Sequence, residues 1–266
     1  MIARRAMLAA PALLLARAAQ AIEWRGEPAQ GAMIVGRAAP GTRLTLDGRT
    51  IRVGAAGDFV FGFGRDHGAT SSLVVAPPSG RSETRTLQVR RRQWNVQNIT
   101  GLPPAQVTPD EAALRRILAE RATLAAARAT DSGLTGFVDP LVWPARGRIS
   151  GIFGSQRVLN GQPRQPHYGF DIAVPTGTPL ASILSGRVML SAEQFFFGNL
   201  VVVDHGHGVN SLYAHLSERM VDVGDTVERG QVIARSGATG RVTGPHLHFS
   251  LSWYQVWLDP QPLFPA

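Results

Sequence analysis

The amino-acid sequence predicts a mainly β protein, with a small β-sandwich-like domain, one connector helix and a larger C-terminal β domain. Short β-prone runs separated by turn residues fill residues 22–93 and 140–266. A single stretch rich in Ala, Leu and Arg lies between them. The 266 residues, 44% of them hydrophobic and 17% charged, suffice for one large or two modest domains with real cores.

Residues 1–21 have the features of a secretory signal peptide. A basic start at Arg4 and Arg5 is followed by an apolar stretch and by the small-x-small sequence Ala19-Gln20-Ala21. The apolar stretch is too short to span about 30 Å of hydrocarbon. We therefore expect cleavage after Ala21, no stable membrane insertion, and an extracytoplasmic protein that is periplasmic or secreted. The arginine pair leaves twin-arginine export open as a route.

Residues 22–93 predict the small β-sandwich. The runs 43–46 and 50–53 flank Asp47-Gly48, a dipeptide typical of a tight hairpin. Further β-prone runs follow at residues 59–63, 72–75 and 86–89. This part of the chain contains no motif that indicates chemistry, so its role stays open.

Residues 94–139 predict a linker that contains a helix at about 109–128. Thr108 is the expected N-cap, and Pro109 suits the first helical position. The apolar residues of this helix share one face, which we expect to pack on a domain or to bridge two domains. These residues are Leu114, Ile117, Leu118, Leu124 and Ala125.

The composition excludes several kinds of chemistry. All 27 basic residues are Arg, and the chain contains no Lys and no Cys. Schiff-base catalysis, Walker-type phosphate loops, thiol nucleophiles, disulfides and thiolate metal sites are therefore excluded, and a metal has to be held by His and carboxylate. The net charge of +8 suits an acidic polymer, but the arginines are scattered, so we expect no nucleic-acid partner.

Six of the seven histidines lie in residues 140–266. His246 and His248 are two residues apart in a predicted strand, so both imidazoles project from the same face. His215 lies in another predicted strand. His167 and Asp171 form a further cluster, which we expect in an extended segment with a turn because a proline and a glycine flank it.

Each of these clusters alone is more often structural than catalytic. Their conjunction in one β domain, without Cys and without a Gly-x-Ser-x-Gly motif, indicates a hydrolytic zinc site.

Four ordered segments resemble the M23 peptidases, the lysostaphin and LytM group. They are His167–Asp171, Gly198–Gly206, Tyr213–Leu216 and Gly244–Phe249. The resemblance covers about residues 140–264 and implies a β domain of the duplicated-hybrid or barrel-sandwich type. It also implies that His167, Asp171 and His248 bind Zn²⁺, with the fourth position open for a water that acts as the nucleophile.

The resemblance further assigns His215 and His246 as catalytic residues. One takes the proton of the water and the other donates to the oxyanion or the leaving amine, and which does which stays open. The implied reaction is amide hydrolysis in peptidoglycan cross-links or stem peptides. A D,D-endopeptidase is preferred, with a Gly-Gly bridge as the alternative bond. We expect a structural hydrogen bond for His205 and solvent exposure for His207.

Two other functions compete with a zinc endopeptidase. Some M23-like domains are regulators that lack zinc ligands, and the β-sandwich could instead provide the main function as a wall-binding module. The complete ligand set favours the hydrolase. A regulatory protein partner, oligomeric state and autoinhibition stay undetermined. If the linker joins independent domains, residues from about 140 onward should fold and bind zinc alone.

Overall fold

The computed structural model describes residues 22–101 and 109–266. The predicted signal peptide at residues 1–21 and the predicted N-cap Thr108 lie outside the described residues. Within these ranges, no helix combines the length and the apolar character that a membrane span needs.

In the described part of the chain, twenty strands make the protein mainly β, as predicted. Those of the amino-terminal part are β1 (Glu23–Arg25), β2 (Met33–Arg37), β3 (Arg43–Leu46), β4 (Arg49–Ile51), β5 (Asp58–Gly62), β6 (Thr70–Ala76), β7 (Glu83–Gln88) and β8 (Val96–Ile99). Helix α1 (Glu111–Arg128) and a 3-10 turn (Gly136–Val138) follow. The remaining strands are β9 (Arg148–Gly151), β10 (Gln156–Leu159), β11 (Gln162–Pro163), β12 (Phe170–Ala173), β13 (Pro179–Ala181), β14 (Gly186–Gln194), β15 (Gly198–Gly206), β16 (Val209–Arg219), β17 (Thr226–Val227), β18 (Val232–Ser236), β19 (Leu247–Trp253) and β20 (Val256–Leu258), before a last 3-10 turn (Gln261–Leu263).

Strands β1 to β7 form two antiparallel sheets with the orders β1-β2-β5 and β4-β3-β6-β7. Alternate side chains such as Leu44, Leu46 and Leu73 are buried in a core that the two sheets share. The predicted hairpin joins β3 and β4, where Asp47 and Gly48 have φ values of 47° and 82°. Positive φ at both central residues is the requirement of a tight hairpin turn, which explains the Asp-Gly dipeptide.

Helix α1 begins one residue after Asp110, whose side chain accepts a hydrogen bond from the Ala113 amide at 2.8 Å. The N-cap is therefore Asp110 and not the predicted Thr108. Ile117 is buried as expected, but Leu118 is 58% exposed. The predicted apolar face is only partly covered because the helix packs along a narrow line on β14, and its other apolar residues face a groove.

The linker also contains a strand that the sequence analysis did not predict. Strand β8 pairs in parallel with β10, with Val96 opposite Gln156 and Ile99 opposite Leu159. The short strand β11 pairs on the other edge of β10. The first part of the linker thus belongs structurally to the C-terminal half of the chain.

The C-terminal part is built on one large sheet with the path β17-β14-β15-β16-β19-β12-β9. Its central strands β15, β16 and β19 are almost continuously buried. Both faces are covered, and Tyr213 and Phe249 lie among the largest fully buried side chains. The centre of this sheet is consequently a rigid support for side chains that project from it.

One hydrophobic core runs through both β-rich parts. Leu258 packs against Gly62, and Arg92 forms a 2.7 Å ion pair with Asp259. His207, which we expected to be exposed, is buried, and its ring centroid lies 4.7 Å from that of Phe137. The prediction for His207 was wrong because the linker and the amino-terminal sandwich cover the turn that carries it.

Candidate active site

Three neighbouring strands bring the predicted site residues together. Asp171 on β12 lies directly opposite His248 on β19, and His248 lies opposite Ala214 on β16. His246 immediately precedes β19, while His167 lies in the extended segment before β12 and not in a helix. The cross-strand register thus converts distant sequence positions into one cluster.

His167, Asp171 and His248 form a compact triangle of possible metal ligands. His167 Nε2 lies 3.0 Å from His248 Nδ1 and 3.1 Å from Asp171 Oδ1, and the last two atoms are 2.8 Å apart. Ligand atoms of a tetrahedral zinc ion at about 2.0–2.1 Å are spaced by about 3.3 Å. Two imidazoles and one carboxylate also match the donor sets of catalytic zinc, so these residues fit that ion.

The second ring nitrogen of each ligand histidine has its own partner. His167 Nδ1 lies 3.2 Å from the Ile152 carbonyl oxygen, to which it can donate. His248 Nε2 lies 2.9 Å from Ser250 Oγ. Protons on these outer nitrogens leave lone pairs on the inner ones, directed at the centre of the triangle. Sequence reasoning missed Ser250, although its position two residues after His248 on the same strand face was a usable signal.

His215 projects from a β-bulge. Ala214 and His215 on β16 together face the single residue Leu200 on β15, and His215 has a φ of 62°. The amide of His215 donates to the Phe197 carbonyl at 2.8 Å. The bulge turns the imidazole toward the ligand cluster, with its ring centroid 5.8 Å from that of His248.

His215 and His246 form a pair beside the triangle, with ring centroids 4.8 Å apart. His215 Nδ1 lies 2.8 Å from the Thr239 carbonyl oxygen, and His246 Nδ1 lies 2.8 Å from the Gly244 carbonyl oxygen. A proton on each Nδ1 donates to these carbonyls, so each Nε2 is the nitrogen available for proton exchange.

Burial controls the ionisation of this cluster. It lowers the pKa of His215 to about 3, assisted by repulsion from the neighbouring His248 and His246. It also lowers the pKa of His248 to about 4 against the attraction of Asp171. Burial alone would raise the pKa of Asp171, but hydrogen bonds from His167 and His248 hold it well below its usual range. His215 and His248 thus offer neutral imidazoles, and Asp171 offers an ionised carboxylate, near neutral pH.

A groove of about 910 Å³ is lined by His167, His215 and His248 of the cluster. Helix α1 provides one wall through residues such as Leu114 and Leu118, and Phe196 and Phe197 provide part of another. The groove lining also contains five arginines that sequence reasoning did not assign to the site. These are Arg121, Arg128, Arg157, Arg164 and Arg241. Their grouping depends on strand pairing and helix placement, which leave no local signal in the sequence.

His205 lies outside the cluster and has the structural role that we expected. Its Nδ1 lies 2.9 Å from the Ser185 carbonyl oxygen, and its Nε2 lies 2.7 Å from Ser211 Oγ. Burial lowers the pKa of His205 to about 4. A neutral His205 therefore links two strands through its hydrogen bonds.

Comparison with known proteins identifies the family. Residues 165–260 match peptidase family M23. A solved structure from Pseudomonas aeruginosa that is assigned to peptidase M23 is 31% identical with a TM-score of 0.69, and the alignment covers 88% of this chain and 94% of that one. The chain belongs to peptidase family M23. The predicted resemblance is confirmed, and the matched residues include the whole histidine cluster.

Two curated relatives have named activities. Peptidoglycan DD-endopeptidase ShyA of Vibrio cholerae is 45% identical over 105 residues, which are 39% of this chain and 24% of that protein. DD-carboxypeptidase/endopeptidase Mpg of Neisseria meningitidis is 38% identical over 129 residues, which are 48% of this chain and 28% of that protein. The chain spans about a quarter of the length of these curated relatives.

Proposed function

We propose that this M23 family member is an extracytoplasmic zinc endopeptidase that hydrolyses amide bonds in peptidoglycan cross-links or stem peptides, of the DD-endopeptidase type. The observation that carries the proposal is the complete triangle of His167, Asp171 and His248 with His215 and His246 beside it. A regulator that has lost catalysis has no need for this full set of side chains.

In this proposal, His167, Asp171 and His248 hold the metal. Zinc bound there supplies Lewis acidity, which polarises the substrate carbonyl and activates water without a protein nucleophile. Ile152 and Ser250 orient the two ligand rings and fix the nitrogen on which each carries its proton. The low pKa of Asp171 keeps its carboxylate charged at the pH of the periplasm, so all three side chains are ready to bind a cation.

His215 and His246 handle the protons in this proposal. Each has its Nδ1 committed to a backbone carbonyl, so Nε2 is the atom that accepts a proton from water or donates one to the oxyanion or leaving amine. The bulge at His215 fixes one ring, and the bridge between His246 and Gly237 fixes the start of the other segment. Fixed rings spare the reaction the cost of ordering them.

Peptidoglycan is the substrate that the comparisons support. ShyA is named a peptidoglycan DD-endopeptidase and Mpg a DD-carboxypeptidase/endopeptidase. Cleavage after Ala21 removes three arginines and no acid, so the mature chain keeps a net charge of +5, which suits an acidic wall polymer, and we propose no nucleic-acid partner. The signal peptide predicted at residues 1–21 supplies the route to the compartment where this polymer lies.

Digestion of purified cross-linked peptidoglycan tests the proposal. We expect the mature protein to release peptide fragments, a chelator to stop the release, and added zinc to restore it. Mass spectrometry of the fragments identifies the bond. No release from either a directly cross-linked or a glycine-bridged wall, despite one bound zinc per chain, would favour a regulator instead.

Two variants separate metal binding from proton transfer. His248→Ala should lose zinc and activity together because one corner of the triangle is gone. His215→Ala should keep most of the zinc and lose roughly 10²- to 10⁴-fold in rate, which is the usual contribution of a general acid or base. Zinc content by mass spectrometry and fragment release are measured on the same samples. Full activity in either variant contradicts the role given to that residue.

A further inference from the structure

The groove continues past the histidine cluster along strand β19. Alternate residues of a strand share one face, so His248, Ser250 and Ser252 project to the same side of the sheet. Ser250 Oγ lies 2.9 Å from His248 Nε2, and Ser252 Oγ accepts a hydrogen bond from Arg128 at the end of helix α1. The four residues from His248 to Ser252 span about 13 Å of strand. Arg128, which also lines the groove, thus lies roughly that far from the predicted metal ligands.

Two contacts hold the guanidinium group of Arg128 at this place. The residue is only 6% exposed, and its Nε donates to Ser252 Oγ at 3.2 Å. Trp257 on β20 lies directly opposite Ser252, and the guanidinium carbon of Arg128 lies 3.3 Å from the centroid of the Trp257 ring. Stacking on an aromatic face and a hydrogen bond through Nε together orient a planar cation. The charge therefore has a fixed position on the groove wall.

This charge has no counter-ion. Among the described residues, Arg128 forms no ion pair, and its Nη2 is buried without a hydrogen-bond partner. Burial lowers the pKa of Arg128 to about 9, and no acidic side chain opposes this shift. The acids of the groove lining are committed elsewhere, since Glu120 pairs with Arg116 and Asp171 is a predicted metal ligand.

An uncompensated cation in a buried position is costly for the folded protein. The carbonyl end of helix α1 offers Arg128 only a partial negative charge. A water molecule could satisfy Nη2 but would leave the positive charge unbalanced. An anionic ligand in the groove satisfies both requirements at once.

We propose that Arg128 binds a substrate carboxylate that lies about 13 Å along the peptide from the scissile amide. This inference rests on the proposed function and specifies its substrate class. A guanidinium group matches a carboxylate in charge and in planar geometry. Tyr168 and Trp257 line the groove beside Arg128 with rings that are 14° from parallel, and they offer an apolar surface to the intervening peptide.

A γ-linked glutamate in a stem peptide carries a carboxylate at this distance. It stands two residues before the alanine that supplies the scissile carbonyl group, and its α-carboxylate stays free because the chain continues through its side chain. Two extended residues and the glutamate side chain together span about 13 Å. The acceptor stem of a cross-link contains a second such glutamate, so either stem can supply the carboxylate.

A set of cross-linked peptides tests the inference on the zinc-loaded mature chain. The two glutamate carboxylates are both free, singly amidated on either stem, or both amidated. We expect wild type to cleave the free acid with a kcat/KM roughly tenfold or more above that of the fully amidated peptide, the scale of a charge-assisted hydrogen bond. The singly amidated peptides identify the stem whose carboxylate is bound.

Arg128→Met is the test variant, because methionine keeps an apolar chain over Trp257 and removes the charge. It should lower kcat/KM for the free acid roughly tenfold and leave that for the amide within about twofold. Its melting temperature without peptide should match or exceed that of wild type, because desolvation of an unpaired cation opposes folding. Arg128→Lys keeps the charge and should retain part of the preference for the acid.

Arg115→Met is the matched control, since Arg115 is an exposed arginine of the same helix outside the groove lining. It should change neither the two kcat/KM values nor the melting temperature. Calorimetric binding of a stem peptide with its glutamate free or amidated supplies a further readout that does not need catalysis.

The inference is overturned if wild type cleaves the amide as fast as the acid, or if a preference for the acid survives in Arg128→Met. Equal losses on acid and amide in that variant, with a lower melting temperature, would give Arg128 a structural role instead. If wild type cleaves nothing but binds the acid more tightly than the amide, and Arg128→Met abolishes that difference, the proposed function fails and the carboxylate site stands. If nothing is cleaved and both peptides bind alike, both proposals fail.

Discussion

His215 sits in a backbone conformation that its residue type seldom adopts. A non-glycine residue with a φ of 62° costs on the order of 1–3 kcal/mol, and it persists where surrounding contacts determine it. Here the contacts are the bulge opposite Leu200 and the carbonyl groups of Phe197 and Thr239. The strain is therefore localised at His215, whose backbone has to depart from regular strand geometry so that its ring points toward the ligand cluster.

Gly151 lies where a side chain would enter the ligand triangle. A Cβ atom at this position would overlap Asp171 Oδ2 and lie 3.0 Å from His167 Cε1. Gly151→Ala should therefore push two ligands out of register and weaken zinc binding by at least roughly tenfold, the scale of disturbing the groups that orient ligands. Zinc affinity is measured by competition with a chelator of known strength.

Gly68→Ala is the control for this change, because its nearest atom would be the Thr70 carbonyl oxygen at 3.8 Å. It should keep wild-type zinc affinity. An unchanged affinity in Gly151→Ala would mean that the ligands do not need the space that this glycine leaves.

Sequence reasoning reached the five histidine and aspartate residues of the cluster because their spacing and segment motifs are local properties. The grouping of Arg157 with Arg241 was not predictable in the same way. It depends on the register of β10 with β8 and β11 and on the path of the chain after β18, and neither is encoded in a short window. Gly151 was missed for the same reason.

Helix α1 is the element that turns the sheet surface into a groove. Glu120 anchors it, because its Oε2 accepts a hydrogen bond from the Phe195 amide at 2.8 Å and its backbone carbonyl accepts one from Gln194 Nε2. Leu114 and Leu118 stay exposed toward the groove. The sequence predicted the helix and most of its extent, but the exposure of this face depends on where the helix docks.

Glu120→Gln should weaken the attachment of helix α1 to the sheet and leave the metal ligands unchanged. The charge-assisted bond to Phe195 becomes a weaker neutral one, and the ion pair with Arg116 is lost. We expect KM for a peptidoglycan peptide to rise several-fold while zinc content stays at one per chain. Steady-state kinetics and metal analysis measure both quantities.

Glu111→Gln provides the comparison, since Glu111 pairs with Arg115 on the exposed start of the same helix. Its kinetics should match wild type. A rise in KM in both variants would point to a general loss of helix stability, and no rise in either would remove helix α1 from substrate binding.

At the scale of the whole molecule, the two β-rich parts are joined by contacts as well as by sequence. Arg49 of the sandwich lies with its guanidinium carbon 4.0 Å from the ring centroid of Tyr254, and Phe137 of the linker covers His207. The boundary at about residue 140 came from a change in sequence pattern. Patterns of this kind locate elements but do not report which faces pack on each other.

These contacts change the expectation for a fragment of residues 140–266. Deleting residues 22–139 removes Phe137, whose loss from a core costs about 3–5 kcal/mol, and exposes Leu258 as well. The fragment should therefore melt roughly 10 °C or more below the 22–266 chain, which should unfold in one cooperative transition.

Scanning calorimetry of both proteins with bound zinc measures the difference. Equal melting temperatures, or two separate transitions in the longer chain, would instead support the independent domains that the sequence pattern predicts.

The groove draws its parts from two sources. The ligand triangle is built around the paired strands β12 and β19. One wall is formed by helix α1, which a few hydrogen bonds hold against the sheet. Substitutions at Leu114, Leu118 or Arg121 reshape that wall without entering the ladder that spaces the ligands. Substitutions on helix α1, in evolution or by design, can therefore change which peptides bind in the groove without changing the residues that hold the metal.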